Sequence, residues 1–214
     1  MIEKLLNPTK ALIFRITHID NVPWILDHGL HCRNSDVRDP SFREIGNKDL
    51  IAKRLHHPIP VEPGGTLADY VPFYFTPRSP MQMKIVTGHQ GTPHTPASDI
   101  AIIVSSIPTL DAKRLIYVLT DRHARLAAAN FSTDASGLAN IDWRILQDSN
   151  FQRSDDDPGK VERYQAEALV HHHLPVNAIE EIVVHGPELK SKVEQELQYR
   201  SLSLKLSVQP DWYF

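Results

Sequence analysis

A glutamine and a glutamate stand two residues apart, at positions 165 and 167, in the otherwise largely apolar stretch Y-Q-A-E-A-L-V. If this stretch is a strand, alternate side chains point to the same face, so Gln165 and Glu167 lie side by side. A fixed carboxylate can stabilise the oxocarbenium-like cation that forms when a glycosidic bond breaks, and it can bind the neighbouring sugar hydroxyl. The pair therefore indicates a site for a sugar-containing substrate, although an exposed strand face would show the same pattern.

Basic and hydroxyl side chains elsewhere in the chain could complete such a site. The N-terminal stretch Arg15-Ile16-Thr17-His18 reads as part of a strand, and Arg54 lies in an irregular, basic segment. Cationic side chains near a carboxylate suit a substrate that carries phosphates as well as a sugar. The hypothesis that follows is a substrate with phosphates and a sugar whose glycosidic bond is to be broken.

Two other groups of residues offer rival chemistry. His171, His172 and His173, with His185, could be metal ligands, since imidazole is a common ligand. Adjacent strand residues point in opposite directions, however, so three consecutive histidines cannot face one ion without a break in the backbone. Cys32 could be a nucleophile, but no local signature supports it. We therefore expect no metal and no catalytic cysteine.

Composition favours one globular domain spanning residues 1–214, with 41% hydrophobic and 23% charged residues. The single cysteine excludes an intramolecular disulfide and fits a reducing compartment, so we expect a cytoplasmic protein. No apolar run approaches the ~20 residues that cross a bilayer, and the first residues do not resemble a signal peptide. Net charge is only −3, yet residues 70–98 contain no acidic residue, which allows a local basic surface.

The order of elements predicts an α+β fold. Strands are predicted at residues 14–17, 71–75, 100–106, 115–119, 164–170, 179–185 and 202–208, and helices from Asp20-Asn21-Val22-Pro23 to Gly29, from Thr120 or Asp121 through Ala129, and at residues 141–147 and 187–199. Residues 31–60 and 76–98 are predicted to be irregular. Because regular βαβ alternation and a glycine-rich phosphate motif are lacking, we expect a curved or split, mostly antiparallel central sheet flanked by helices.

Several motifs resemble one known family. They are I-T-H-I-D-N-V-P-W-I-L at 16–26, P-G-G-T-L-A-D-Y-V-P-F-Y-F-T-P-R-S-P-M at 63–81, T-D-R-H at 120–123, Y-Q-A-E-A-L-V at 164–170, I-E-E-I-V-V-H at 179–185 and the terminal D-W-Y-F. The chain resembles, nearly end to end, the DarT toxins, which are bacterial DNA ADP-ribosyltransferases. The resemblance implies the ADP-ribosyltransferase fold, NAD⁺ as substrate, and transfer of ADP-ribose to a base of single-stranded DNA.

The resemblance also implies roles for particular residues. Glu167 and Arg54 fall on catalytic positions, and NAD⁺ binding falls to Arg15, Ile16, Thr17, Asn21, Tyr74 and Phe75. Relatives often have histidine at the position of Arg15. Gln165 is expected to touch the acceptor base, and the DNA is expected to contact Arg78, Lys84, Arg153, Lys160 and Arg163.

The acceptor implied by the best-described branch is thymidine, and another branch uses guanosine. Alternatives that remain open are a glycohydrolase that sends the same cation to water and a binding module without turnover. A DNA-modifying toxin needs restraint, so the resemblance further implies a DarG-type antitoxin whose macrodomain removes the modification.

Overall fold

A computed structural model of the chain describes residues 4–89 and 91–214. Its strands are β1 (Leu12–His18), β2 (Leu30–His31), β3 (Tyr70–Tyr74), β4 (Ile100–Ser106), β5 (Tyr117–Thr120), β6 (Phe131–Ser132), β7 (Glu167–His171), β8 (His173–Leu174), β9 (Glu181–Val184) and β10 (Lys205–Val208). The α-helices are α1 (Val22–His28), α2 (Lys48–Arg54), α3 (Pro80–Thr87), α4 (Ile107–Ala112), α5 (Trp143–Asp148), α6 (Lys160–Arg163) and α7 (Pro187–Tyr199). Short 3₁₀ turns lie at Ile19–Asn21, Leu67–Asp69, Ala97–Asp99, Ala135–Asn140, Val176–Ala178 and Pro210–Trp212.

One eight-stranded sheet organises the fold, in the order β10-β9-β4-β1-β3-β7-β5-β6. Every neighbouring pair in it is antiparallel except β10 and β9. Strands β2 and β8 form a separate antiparallel pair. The sequence-based prediction of an α+β fold with a mostly antiparallel central sheet is therefore confirmed.

The sheet splits between β1 and β3. Strand β1 pairs with β4 along its full length, but with β3 only through Phe14 and Tyr74. Pro72, in the middle of β3, has no N–H to donate across this gap. Its carbonyl oxygen instead accepts a hydrogen bond of 3.0 Å from Nη1 of Arg15, a side chain of β1. The Arg15 side chain thus bridges the split between the two halves of the sheet.

The residues that the sequence pattern predicts to be buried in β4 and α7 do lie in the core. All seven residues of β4 are buried, as the uninterrupted apolar run predicts for a central strand. In α7, Leu189, Val193 and Leu197 repeat every four residues and are all buried, as predicted for an amphipathic helix. Gly29 ends α1 with a φ of 78°, a conformation that favours glycine.

Some local predictions were wrong. Residues 121–130 form a loop rather than a helix, and the segments predicted to be irregular contain α2 and α3. Strand β7 begins at Glu167, so Gln165 does not share a strand face with it. Gln165 lies in the turn after α6, and its side chain instead donates back to the carbonyl oxygen of Val161 in that helix.

Candidate active site

Glu167 lies at the centre of the candidate site. It is the first residue of β7 and pairs with Tyr74 of β3 on one side and Thr120 of β5 on the other. Its backbone N–H donates to Oγ1 of Thr120 at 3.1 Å, which fixes the start of the strand. The residue is only 1% exposed, so its carboxylate is shielded from bulk water. A buried charge of this kind requires donors around it.

Three groups meet the Glu167 carboxylate. Nη1 of Arg54 donates to Oε2 at 2.9 Å, and the backbone N–H of Ala124 donates to Oε1 at 3.1 Å. Nδ1 of His123 lies 3.2 Å from Oε1. Burial alone would raise the pKa of this carboxyl, but the charge of Arg54, the hydrogen bond from His123 and the Ala124 N–H together lower it to about 2. Glu167 is therefore held as an anion at neutral pH.

Two arginines with unmet donors face the split in the sheet. Arg54 is the last residue of α2, and its Nη2 is buried without a hydrogen-bond partner among the described residues. Arg15 donates to Pro72, but its Nε is buried and equally lacks a partner in the described part of the chain. Burial lowers the pKa of Arg15 to about 10, which still leaves it charged at neutral pH. Together the two side chains form a cationic site with free donors, suited to an anion.

A two-lobed cleft opens beside these arginines. The larger lobe has a volume of about 290 Å³ and the smaller about 140 Å³. The two lobes share six of their lining residues and are therefore parts of one cleft. The shared residues are Arg15, Phe42, Glu44, Ile51, Arg54 and Pro72. Trp24, His31 and Tyr70 line only the larger lobe, and Tyr74 and His123 only the smaller. Glu167 itself lines neither lobe. Its partner Arg54 lines both lobes, and its neighbours His123 and Tyr74 line only the smaller one, which places Glu167 behind the wall of the smaller lobe.

The predicted NAD⁺-binding residues divide between the cleft and the core. Ile16, Thr17 and Tyr74 line the smaller lobe. Phe75 is fully buried, with its ring edge-on to Trp143 at 5.5 Å, and lies in the core. Of the two aromatic residues predicted to bind NAD⁺, only Tyr74 therefore lines the cleft.

Asn21 has a structural position. Its side chain donates to Oγ1 of Thr17 and to the carbonyl oxygen of Arg43, both at 3.0 Å, and its Oδ1 accepts from the Arg43 N–H at 2.8 Å. It is 1% exposed and does not line either lobe. Asn21 thus ties the segment before α2 to the end of β1, and it shapes the cleft from behind.

The predicted DNA-binding residues are not one cluster of free cations. Arg163 is bound by Asp142 at 3.2 Å and by Asp157 at 2.7 Å, which commits its guanidinium to the protein. Arg78 lies over the Phe214 ring at 4.5 Å. The remaining predicted residues, Lys84, Lys160 and Arg153, are partly or fully exposed.

The loop of residues 121–130 contains site residues that sequence reasoning missed. Asp121 anchors it: its carboxylate accepts from the Arg122 guanidinium and from both the backbone and side-chain nitrogens of Asn130, at 2.9–3.2 Å. This closure presents His123 and the Ala124 N–H to Glu167. The motif T-D-R-H was one of those that carried the family resemblance, but the predicted helix concealed its role.

The rival sites find little support. Among residues 4–89 and 91–214, no group of three or more His, Cys, Asp or Glu side chains could hold a metal ion. Cys32 is buried, and burial raises the pKa of its thiol, which disfavours a nucleophilic thiolate. No helix in the described part of the chain is long and apolar enough to span a membrane.

The relatives of this chain are DNA ADP-ribosyl transferases. It is 48% identical over 209 residues to the DNA ADP-ribosyl transferase of Escherichia coli O127:H6, which covers 98% of this chain and 96% of that one. Thermus sp. 2.9 DarT is 34% identical, with a TM-score of 0.89 for its complex with ADP-ribosylated ssDNA, covering 97% of this chain and 98% of that one. Its complex with NAD⁺ gives a TM-score of 0.81, covering 97% and 100%.

A more distant relative is a DNA ADP-ribosyl transferase and DNA ADP-ribosyl glycohydrolase fusion protein from Thermosipho africanus. It is 24% identical over 194 residues, which are 89% of this chain and 46% of that protein. The family model described as "ssDNA thymidine ADP-ribosyltransferase, DarT" matches residues 14–214. The chain belongs to the DarT family, and the resemblance stated from its motifs is confirmed.

Proposed function

We propose that this protein transfers ADP-ribose from NAD⁺ to thymidine in single-stranded DNA, acting through one ADP-ribosyltransferase domain. The observation that carries the proposal is the buried Glu167 anion beside a two-lobed cleft with two cationic side chains. A dinucleotide has two nucleoside halves joined by a pyrophosphate. The two lobes suit the two halves, and Arg15 and Arg54, which line both lobes, suit the pyrophosphate between them.

In this proposal the reacting ribose lies in the smaller lobe. The Glu167 carboxylate accepts a hydrogen bond from a ribose hydroxyl and stabilises the positive charge that develops as the bond from C1′ to nicotinamide breaks. A carboxyl with a pKa of about 2 is a weak base, so its value here is a fixed negative charge rather than proton transfer. Arg54 keeps that charge oriented toward the sugar.

The thymine ring nitrogen must lose its proton to become a nucleophile, and His123 is placed to accept it. Nδ1 of His123 has two neighbours, Oε1 of the Glu167 anion at 3.2 Å and the Arg125 backbone N–H at 3.3 Å. Nδ1 cannot donate to one and accept from the other in the same tautomer, and we assign the ring proton to Nδ1, facing Glu167, because a charged acceptor is favoured over the longer backbone contact. Nε2 then carries the lone pair on a ring that lines the smaller lobe. The base proton passes to Nε2, the ring nitrogen attacks C1′, and nicotinamide leaves.

The acceptor assignment draws on the family, whose description names ssDNA thymidine, and on the Thermus relative solved with ADP-ribosylated ssDNA. The proposed partner is a DarG-type macrodomain antitoxin, because the Thermosipho relative joins a transferase to a DNA ADP-ribosyl glycohydrolase in one chain. Because the substrate is DNA, we place the protein in the cytoplasm.

The test is transfer to oligonucleotides that differ in one base. The purified protein is incubated with NAD⁺ and single strands that contain thymine alone, guanine alone or neither as the modifiable base, and products are identified by mass spectrometry. We expect an adduct only where thymine is present, and its loss in Glu167→Ala and His123→Gln. Adducts on guanine, or free ADP-ribose at the same rate with and without DNA, would instead indicate a guanosine transferase or a glycohydrolase.

A further inference from the structure

Arg125 brings an unused cation to the smaller lobe. It lies on the loop of residues 121–130, two positions after His123, and both side chains line that lobe. Its Nε is buried and has no hydrogen-bond partner among the described residues. An orphaned guanidinium donor at a cleft wall is costly unless a ligand satisfies it.

The protein supplies no anion for Arg125. None of the ion pairs within residues 4–89 and 91–214 includes it. Glu44 also lines the lobe, but its carboxylate is engaged by Arg33 at 3.1 Å. Glu167 is already met by three donors. Arg125 is half-buried, and since no acidic side chain of the described residues pairs with it, a substrate is the source of a negative group for it.

The surroundings of Arg125 are basic and rigid. Burial, followed by the charges of Arg125 and Arg54, lowers the pKa of His57, which places this imidazole near both guanidinium groups. The clamp at Asp121 fixes the loop that carries Arg125. Positive side chains of this kind favour an anionic ligand.

The position of Arg125 in the cleft distinguishes it from the arginines proposed to bind the pyrophosphate of NAD⁺. Arg15 and Arg54 line both lobes and already offer two buried, unpartnered donors where a pyrophosphate would lie. Arg125 lines only the smaller lobe, on the same loop as the residue proposed to take the proton of the acceptor base. The anion nearest to an acceptor base is the backbone phosphate of its own strand.

We propose that Arg125 binds a backbone phosphate of the acceptor strand that flanks the modified nucleotide, and so fixes that nucleotide over the reacting sugar. This inference rests on the proposed function. It assigns a binding role in the acceptor site to a residue outside the motifs noted in the sequence.

The experiment compares Arg125→Gln with the parent protein and with Arg144→Gln, a matched change at an exposed arginine of α5 that lines neither lobe. We expect the KM for a thymine-containing oligonucleotide to rise about tenfold in Arg125→Gln, with the KM for NAD⁺ changing by less than about twofold. The slope of log KM for the oligonucleotide against log salt should fall by about 0.7, the loss of one phosphate contact to a single strand. Arg144→Gln should match the parent in all three measurements.

A second experiment replaces single backbone phosphates of the oligonucleotide with uncharged methylphosphonates. Oligonucleotides with one methylphosphonate on either side of the acceptor are assayed with the parent protein, Arg125→Gln and Arg125→Lys. We expect one methylphosphonate position to cost the parent about tenfold in kcat/KM and to cost Arg125→Gln almost nothing, with Arg125→Lys intermediate. This experiment remains informative even if a variant fails to fold, because the parent protein alone shows whether removing the charge of a flanking phosphate slows the reaction.

The outcomes separate the inference from the function. A rise in the KM for NAD⁺ with an unchanged KM for DNA would move Arg125 to the donor site and overturn the inference. Equal sensitivity of parent and Arg125→Gln to every methylphosphonate would overturn it as well. If the parent protein fails to modify any oligonucleotide, the proposed function itself is wrong.

Discussion

Replacing Glu167 by glutamine tests whether the site stabilises an anion. In the folded protein the pKa of this carboxyl falls from its ordinary 4.5 to about 2. At ~1.4 kcal/mol for each pH unit, the charged form adds about 3 kcal/mol of folding stability at neutral pH. Because the side chain is 1% exposed, solvent screening reduces this figure little. The amide nitrogen of glutamine would also face a donor in either orientation, Arg54 in one and the Ala124 N–H in the other.

We therefore expect Glu167→Gln to unfold at least about 3 kcal/mol more easily than the parent near pH 7, a drop in Tm of about 6–12 °C for a chain of this size. The sign of the pH dependence follows from the depressed pKa. The extra stability is present above the ordinary value of 4.5 and is lost as pH falls toward about 2. The gap between parent and variant should thus narrow by about 2 kcal/mol between about pH 7 and about pH 3.

Urea unfolding followed by tryptophan fluorescence measures this gap, since the chain has three tryptophans. Glu188→Gln is the control, because Glu188 is exposed on α7, and its change should stay within about 0.5 kcal/mol. If Glu167→Gln were as stable as the parent near neutral pH, the hydrogen-bond donors around this carboxylate would not offset the free-energy cost of burying its charge. A gap that does not narrow in acid would equally contradict the argument.

Three further substitutions probe side chains that contact Glu167, hold its loop or shape the cleft from behind. Arg54→Lys keeps a charge but loses the guanidinium geometry, so kcat/KM should fall about a hundredfold; retention of parental activity in the oligonucleotide assay would show that charge alone suffices. Asp121→Asn loosens the loop that presents His123, so we expect kcat to fall about tenfold with little change in either KM, whereas a change in KM alone would indicate a binding role. Asn21→Ala removes the amide that joins Thr17 to Arg43 and should cost about 1–3 kcal/mol in urea unfolding; an unchanged midpoint would mean that these buried hydrogen bonds contribute little.

Local pattern predicted the elements whose own residues determine them. Strand β4 and helix α7 were recognised because an apolar run and a four-residue repeat act within a single element. Helix α3 was missed although its signals were present: Ser79 accepts from the Gln82 N–H as N-cap, Pro80 follows it, and Gly88 ends the helix in a left-handed conformation. The polar residues on either side of α3 favoured the prediction of a loop, although local rules could have identified where the helix begins and ends.

The loop after β5 was mispredicted for a different reason. Ala127-Ala128-Ala129 has strong helix propensity, but propensity is a weak prior beside tertiary contacts. Here the side chain of Asp121 binds Asn130, nine positions away, and the Ala124 N–H donates to a residue 43 positions away. Asn130 lies within the loop but beyond the reach of a helical hydrogen bond, and Glu167 lies on another part of the chain, so helix propensity alone reveals neither contact. The same limit hid His123 and Arg125.

The identity of Glu167 as a candidate was readable from sequence, but its environment was not. Its partner Arg54 lies 113 positions earlier, at the end of a helix that was predicted to be irregular. Arg54 at the end of α2 lines the same cleft as Arg15 and Pro72, which lie at the split between β1 and β3, where Pro72 has no N–H to continue the sheet. A gap in the hydrogen-bonded sheet thus creates both the cleft and the need for buried cations beside it. Closing that gap with a fully paired strand would remove the space for a ligand, so the irregularity in the sheet is the feature on which the proposed chemistry depends.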